Sequence, residues 1–135
     1  MTYLLDTNIL SEPLRKKPHP GVVEKLTRFQ SRIAIASTVW HEVLFGCRML
    51  PPSRKRAAFE DYFFQVVASS VPILPYDERA ANWHAEERAR LRDRPPPFRD
   101  GQIAAVAKVH DLVLVTANVA DFEIFDGIAI ENWLR

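Results

Sequence analysis

The chain has 135 residues and a mass of 15.5 kDa, and 47% of it is hydrophobic, enough for one globular domain with a real core and too short for two ordinary ones. Its 18 Lys and Arg against 17 Asp and Glu leave a net charge of +1, so any nucleic-acid footprint must be local rather than a property of the whole molecule. The lone Cys47 excludes an intramolecular disulfide, and with His19, His41, His84 and His110 it makes no zinc-ligand spacing.

Thr2 to Leu5 reads as a first strand, and Ile9-Leu10 opens a short helical or turn segment that Pro13 ends. The charged, proline-punctuated stretch from Leu14 to Gly21 reads as an exposed loop. Val22 to Gln30 has helical spacing, with Val22, Val23, Leu26 and Phe29 on one side, and Ile33 to Ser37 reads as a second strand. Helices follow from about Thr38 to Leu50, stopped by Pro51-Pro52, and from about Ser53 to Ser69. Val71 to Leu74 is a third strand. A polar helix then runs from a cap at Asp77 to about Asp93, and Pro95-Pro96-Pro97 forces an extended break before a helix starting near Asp100. Leu112 to Thr116 and Ile128 to Ile130 complete the strands. Alternating strands and helices predict an α/β fold, with a central parallel sheet of four to five strands covered by helices on both faces.

In such sheets, function gathers beyond the carboxyl ends of the strands. Asp6 lies there, where the apolar run Tyr3-Leu4-Leu5 stops at Asp6-Thr7-Asn8, and Asn118 and Asp121 follow the strand that ends at Thr116. Capping of the next helix is the plainer role for Asp6, although Thr7 and Asn8 could take it over. Glu42 shares a helix face with Val39, Val43 and Gly46, close to the buried stripe, where an unpaired carboxylate costs several kcal/mol, so it needs a cation or a basic neighbour. Asp100 precedes the apolar face Ile103, Ala104 and Ala107, where interaction with the helix dipole is the alternative to a ligand role. Acids scattered along the chain and converging in space would make a site for a hard cation.

These segments, Leu5-Asp6-Thr7-Asn8-Ile9-Leu10-Ser11-Glu12, the helical Glu42, Asp100 before Ile103-Ala104-Ala105, and Thr116-Ala117-Asn118 to Asp121-Phe122, together resemble the PIN-domain ribonucleases. Within that family they are most similar to the VapC-type toxins of toxin–antitoxin pairs, over nearly the whole chain. The resemblance implies a single PIN-like nuclease domain over residues 1–135. It further implies a Mg²⁺- or Mn²⁺-dependent endoribonuclease in which Asp6, Glu42 and Asp100 bind metal and a fourth polar residue completes the catalytic set. Asn118 stands where an acid is often found, with Asp121 three residues on, so either fills the fourth position. The implied partners are an RNA substrate, a VapB-type antitoxin and a second copy of the chain.

An acidic pocket repels phosphate unless cations surround it. The candidates are Arg88, Arg90, Arg92, Arg94 and Arg99, together with Arg15-Lys16-Lys17 and Arg54-Lys55-Arg56, and a solvated helix face with a Glu86–Arg90 pair is their simpler reading. Trp40, Phe45, Tyr62, Phe63 and Phe64 are too many for one buried stripe, which predicts an exposed apolar patch for a partner. With no basic leader and no apolar span near 18 residues, a cytoplasmic location is expected, without secretion or membrane insertion. The main competing reading is a catalytically silent PIN-like module that holds RNA or protein. Asp-x-Asp phosphatases and receiver domains fit less well, since Asn8 replaces the second acid and no late lysine is evident.

Overall fold

The computed structural model describes residues 1–135. Five parallel strands lie in the order β3-β2-β1-β4-β5, with β1 at Tyr3–Leu5, β2 at Ile33–Ala36, β3 at Ile73–Leu74, β4 at Val113–Val115 and β5 at Ile130–Glu131. The chain winds from β1 outward through β2 to β3 and then returns to the other side of β1 with β4. The gap between the carboxyl ends of β1 and β4 is therefore the point where the strand order reverses, which is where open parallel sheets leave a crevice.

The helices are α1 (Thr7–Leu10), α2 (Pro20–Arg28), α3 (Ser37–Met49), α4 (Arg54–Asp61), α5 (Ala68–Ser70), α6 (Glu78–Arg90), α7 (Phe98–Val109) and α8 (Val119–Phe122). Leu4, Leu5, Ala34, Ile35, Leu114 and Val115 from the sheet join Ile9, Val39, Val43 and Ile103 to Ala107 in one apolar core. Five consecutive buried residues on α7, three of them alanine, mean that this helix is covered all round and lies close to its neighbours.

Several expected elements change at their edges for identifiable reasons. The stretch read as a loop after Leu14 is shorter, because Pro20 sits at the first helical position of α2 and His19 Nδ1 accepts hydrogen bonds from the Gly21 and Val22 N–H groups. Just before it, Glu12–Leu14 forms a 3₁₀ turn, and the buried Glu12 carboxylate accepts from the His19 N–H and from Arg15. The helix expected over Ser53 to Ser69 is interrupted by a π-helical segment, Tyr62–Val67, between α4 and α5. That widened turn buries Phe63 and Val67 together and lets the Tyr62 hydroxyl reach the Leu10 carbonyl at 3.0 Å.

The helix read as merely polar, α6, hides His84 and Glu87 against α7 and the 122–126 region. The Tyr76 hydroxyl is paired with His84 Nδ1 at 2.8 Å, and burial first and the Arg88 charge second push the imidazole below its ordinary range, so it stays neutral. The imidazole packs directly on Gly101, where a Cβ would overlap its Nε2 edge, so glycine is required by close approach of the ring to α7. Gly46, by contrast, has nothing within 4 Å of its would-be Cβ. Gly101→Ala is therefore expected to destabilise the fold by about 1–3 kcal/mol, while Gly46→Ala stabilises it by up to about 1 kcal/mol, both read from urea unfolding midpoints.

Candidate active site

Asp6 follows β1 directly. Its backbone N–H is still held by the Val115 carbonyl of β4 at 2.9 Å, and its side chain caps α1 by accepting the Thr7 N–H at 2.8 Å. The capping role and the outward role are thus combined rather than alternative. The other carboxylate oxygen, Oδ2, accepts from the Thr116 hydroxyl at 2.7 Å, and that hydroxyl in turn accepts the Asn118 N–H at 3.0 Å. Asn8 Oδ1 accepts the Ala117 N–H at 3.3 Å, so the two segments leaving β1 and β4 are joined side by side.

Glu42 enters from the second turn of α3 and Asp100 from the first turn of α7, which begins at Phe98, two residues earlier than the sequence suggests. Both side chains turn to the same place as Asp6, and what they meet there is the Arg99 guanidinium. Nε of Arg99 donates to both Glu42 oxygens at 2.9 Å, Nη1 to Asp100 Oδ1 at 2.8 Å, and Nη2 to Asp6 Oδ1 at 2.6 Å. Thr7 Oγ1 donates to Glu42 at 3.0 Å and lies 3.3 Å from Nη2, tying the rim of the cluster to α1. Three carboxylates from distant parts of the chain therefore share one cation.

The electrostatics follow from that arrangement. Burial opposes the guanidinium charge, but the hydrogen bonds to Glu42 and Asp100 and the nearby Asp6 outweigh it and raise the Arg99 pKa, so the group stays charged. For Asp100 burial is the largest influence and pushes its carboxyl above the ordinary range. Arg99 pulls it back, and the negative charges of Asp121 and Asp6 push it further up. Asp121, exposed on α8, is thus near enough to be felt by Asp100. Asn118 is exposed at the start of α8, and its hydrogen bond to Thr116 is made through its backbone.

Arg99 is the one residue in the centre whose role was misjudged at the level of sequence, where it stood among the phosphate-binding candidates. The signal was the requirement that Glu42 find a basic neighbour. Of the remaining candidates, Arg90 pairs with Glu87 rather than Glu86, Arg88 covers the Phe98 ring, and Arg56 pairs with Glu60. Arg15, Lys16 and Lys17 instead meet Lys55 across a cleft of about 750 Å³ floored by Leu14 and Phe59. Leu14, Arg15 and Phe59 also border a second cleft of about 330 Å³ that runs past Val43, Cys47 and Phe63 to Thr7 and Glu42. The two clefts thus share residues that lead from the basic cluster to Glu42, the outermost of the three acids.

The PIN domain family profile matches residues 3–127. The chain belongs to the PIN-domain family. It is 32% identical to a tRNA(fMet)-specific endonuclease VapC of Salmonella typhimurium, covering 98% of each chain, and 30% identical to Toxin FitB of Neisseria gonorrhoeae, covering 96% of this chain and 97% of the other. A structure of FitAB bound to an IR36 DNA fragment superposes with a TM-score of 0.90 at 29% identity, over 99% of this chain and 96% of that one. In this PIN domain, the acids stand at the crevice between β1 and β4 where the sheet topology opens.

Thr116 was not singled out from the sequence beyond ending a strand, yet it is the buried donor that holds Asp6 in place. Thr116→Val is expected to lower unfolding free energy by about 1–3 kcal/mol, because it leaves a buried carboxylate oxygen without its donor. Thr116→Ser keeps the hydroxyl and should recover most of the loss in the same denaturation experiment.

Proposed function

We propose that this PIN domain, acting as one unit over residues 1–135, is the ribonuclease toxin of a toxin–antitoxin pair and that it cuts RNA by metal-dependent hydrolysis at Asp6, Glu42 and Asp100. The observation that carries the reading is the convergence of these three carboxylates, each accepting at 2.6–2.9 Å from a different nitrogen of the one Arg99 guanidinium. Such a set suits a divalent ion chemically as well. All the candidate donors are carboxylate oxygens, with no His or Cys among them, which favours Mg²⁺ or Mn²⁺ over zinc.

An ion bound there would neutralise charge building on the phosphate and lower the pKa of water. The chain's own residues do the positioning. Thr116 and the Thr7 N–H fix the Asp6 carboxylate, Thr7 Oγ1 steadies Glu42, and the first turn of α7 presents Asp100. Asp121, whose charge reaches Asp100, and Asn118, which can offer a carbonyl oxygen, stand at the open side as the fourth position. RNA would lie along the groove, with phosphates over Arg15, Lys16, Lys17 and Lys55 and less polar parts against Leu14 and Phe59.

The likeness to Toxin FitB, seen in a FitAB complex, supports an antitoxin partner, and the exposed apolar surface that Phe45, Met49, Phe64 and Val66 form on α3 and the π-helical segment suits that partner or a second copy of this chain. No helix is long and apolar enough to cross a membrane. A silent binding module is the second reading, and the occupation of the acids by Arg99 is what favours it.

Asp6→Asn and Asp100→Asn are each expected to abolish RNA cleavage in Mn²⁺ while the circular dichroism spectrum stays native, and chelator should abolish cleavage by the unaltered protein. Undiminished cleavage by a folded Asp6→Asn protein, or cleavage indifferent to chelator, would overturn the assignment. Replacing Lys16, Lys17 and Lys55 together by Ala should weaken RNA binding and flatten its dependence on salt by about 0.7 in log–log slope for each phosphate no longer neutralised. An unchanged slope would remove the basic cleft from the RNA path.

A further inference from the structure

We propose that Arg99 is the resident counter-ion of the acid cluster and that a divalent cation and this guanidinium are mutually exclusive occupants of it. The inference rests on the metal-site reading above and adds a residue that must leave before the ion can enter. The geometry carries it. Arg99 directs Nε, Nη1 and Nη2 at three different carboxylates, so the oxygens that an ion would need already point at nitrogen atoms 2.6–2.9 Å away. Mg²⁺ needs those oxygens at about 2.0–2.1 Å, in the space that the guanidinium fills. As packed, the acids do not form a ready-made ligand cage for a metal.

Burial decides which partner moves. The Asp6 and Asp100 side chains are 1% and 9% exposed, and Asp6 is further held by Thr116 and the Thr7 N–H, so these acids have no room to turn away. The Arg99 side chain is 30% exposed and sits in the first turn of α7, just after the Pro95-Pro96-Pro97 break, with an open route to solvent. Asp121, the other acid that Asp100 feels, makes no ion pair with Arg99 and does not hold it in place. Metal binding is thereby coupled to release of one arginine. The apparent affinity for the ion is lowered by the fraction of molecules in which the guanidinium is seated.

The test uses the purified full chain. Mn²⁺ binding is measured by calorimetry for the unaltered protein, Arg99→Ala and Arg99→Gln, with melting temperatures taken in chelator and in Mn²⁺. Both variants are expected to melt lower than the parent in chelator, to gain more on adding Mn²⁺, and to bind Mn²⁺ about tenfold or more tightly. In the unaltered protein, the Arg99 Nε–H resonance should lose its hydrogen-bonded shift and gain solvent exchange as diamagnetic Mg²⁺ saturates the site. This readout does not depend on any variant folding. Equal or weaker Mn²⁺ binding by the folded variants, or an Arg99 resonance unmoved at Mg²⁺ saturation, would overturn the exclusion while leaving the metal site intact. Failure of parent and variants alike to bind Mn²⁺ would overturn the metal-site reading and this inference with it.

Discussion

Negative charge held inside the carboxyl edge of a parallel sheet is the constraint around which this molecule is built. An isolated buried carboxylate costs several kcal/mol, and removing the partner of a buried charge costs about 3–5 kcal/mol, so each acid must be surrounded by donors. Asp6 has three kinds at once: the α1 N-terminus through Thr7, the Thr116 hydroxyl from the end of β4, and the Arg99 guanidinium from α7. Each comes from a different element. The relative placement of β1, β4 and α7 is thereby written into the hydrogen bonds of one side chain, and any cation that serves the site has to fit within that frame.

The packing below the site makes the frame stiff. α7 is buried on all sides along Ile103–Ala107, three of them alanine, and approaches α6 through Gly101, which the His84 ring covers. A bulkier residue at either contact would lift the first turn of α7 and carry Asp100 and Arg99 with it. On the other side, the Thr38 hydroxyl donates to Gln102 at 3.3 Å, linking the start of α3, which bears Glu42, to the turn of α7 after Asp100. Core packing and site geometry are therefore the same set of contacts seen from two ends.

What could be read without the fold was whatever local chemistry expresses. An apolar run broken by Asp6-Thr7-Asn8, and an acid at Glu42 beside Val39 and Val43, are visible because a strand end and a helix stripe have fixed periods. Periodicity also foretold parallel strands alternating with helices. Four things were not legible, each for the same reason, that they depend on partners distant in the chain. Arg99 belonged by sequence to a run of arginines, and only the third dimension turns it inward. Glu87 rather than Glu86 takes Arg90, because Glu87 is also fixed by the Asp126 N–H across the fold. Arg15-Lys16-Lys17 and Lys55 lie far apart in the chain and meet only because α4 folds back over the 3₁₀ turn at Glu12–Leu14. The π-helical turn at Tyr62–Val67 likewise answers to Leu10 and the core rather than to local propensity.

The near-zero net charge conceals a strong separation of sign. Along one groove, four basic residues at one end face Glu42, the outermost of the three acids, at the other, with an apolar wall of Leu14, Val43, Phe59 and Phe63 between them. A polyanion is drawn to the first end and repelled from the second, since like charges in a cleft with low-dielectric walls are poorly screened. Arg99 cancels only one of the three negative charges when all the acids are ionised. A divalent ion cancels two and keeps positions for water. If the cluster takes an ion as proposed, it is least repulsive to phosphate in that state, so cation and RNA would each favour the other's binding, and the arginine that holds the acids in register beforehand is the group this coupling would set free.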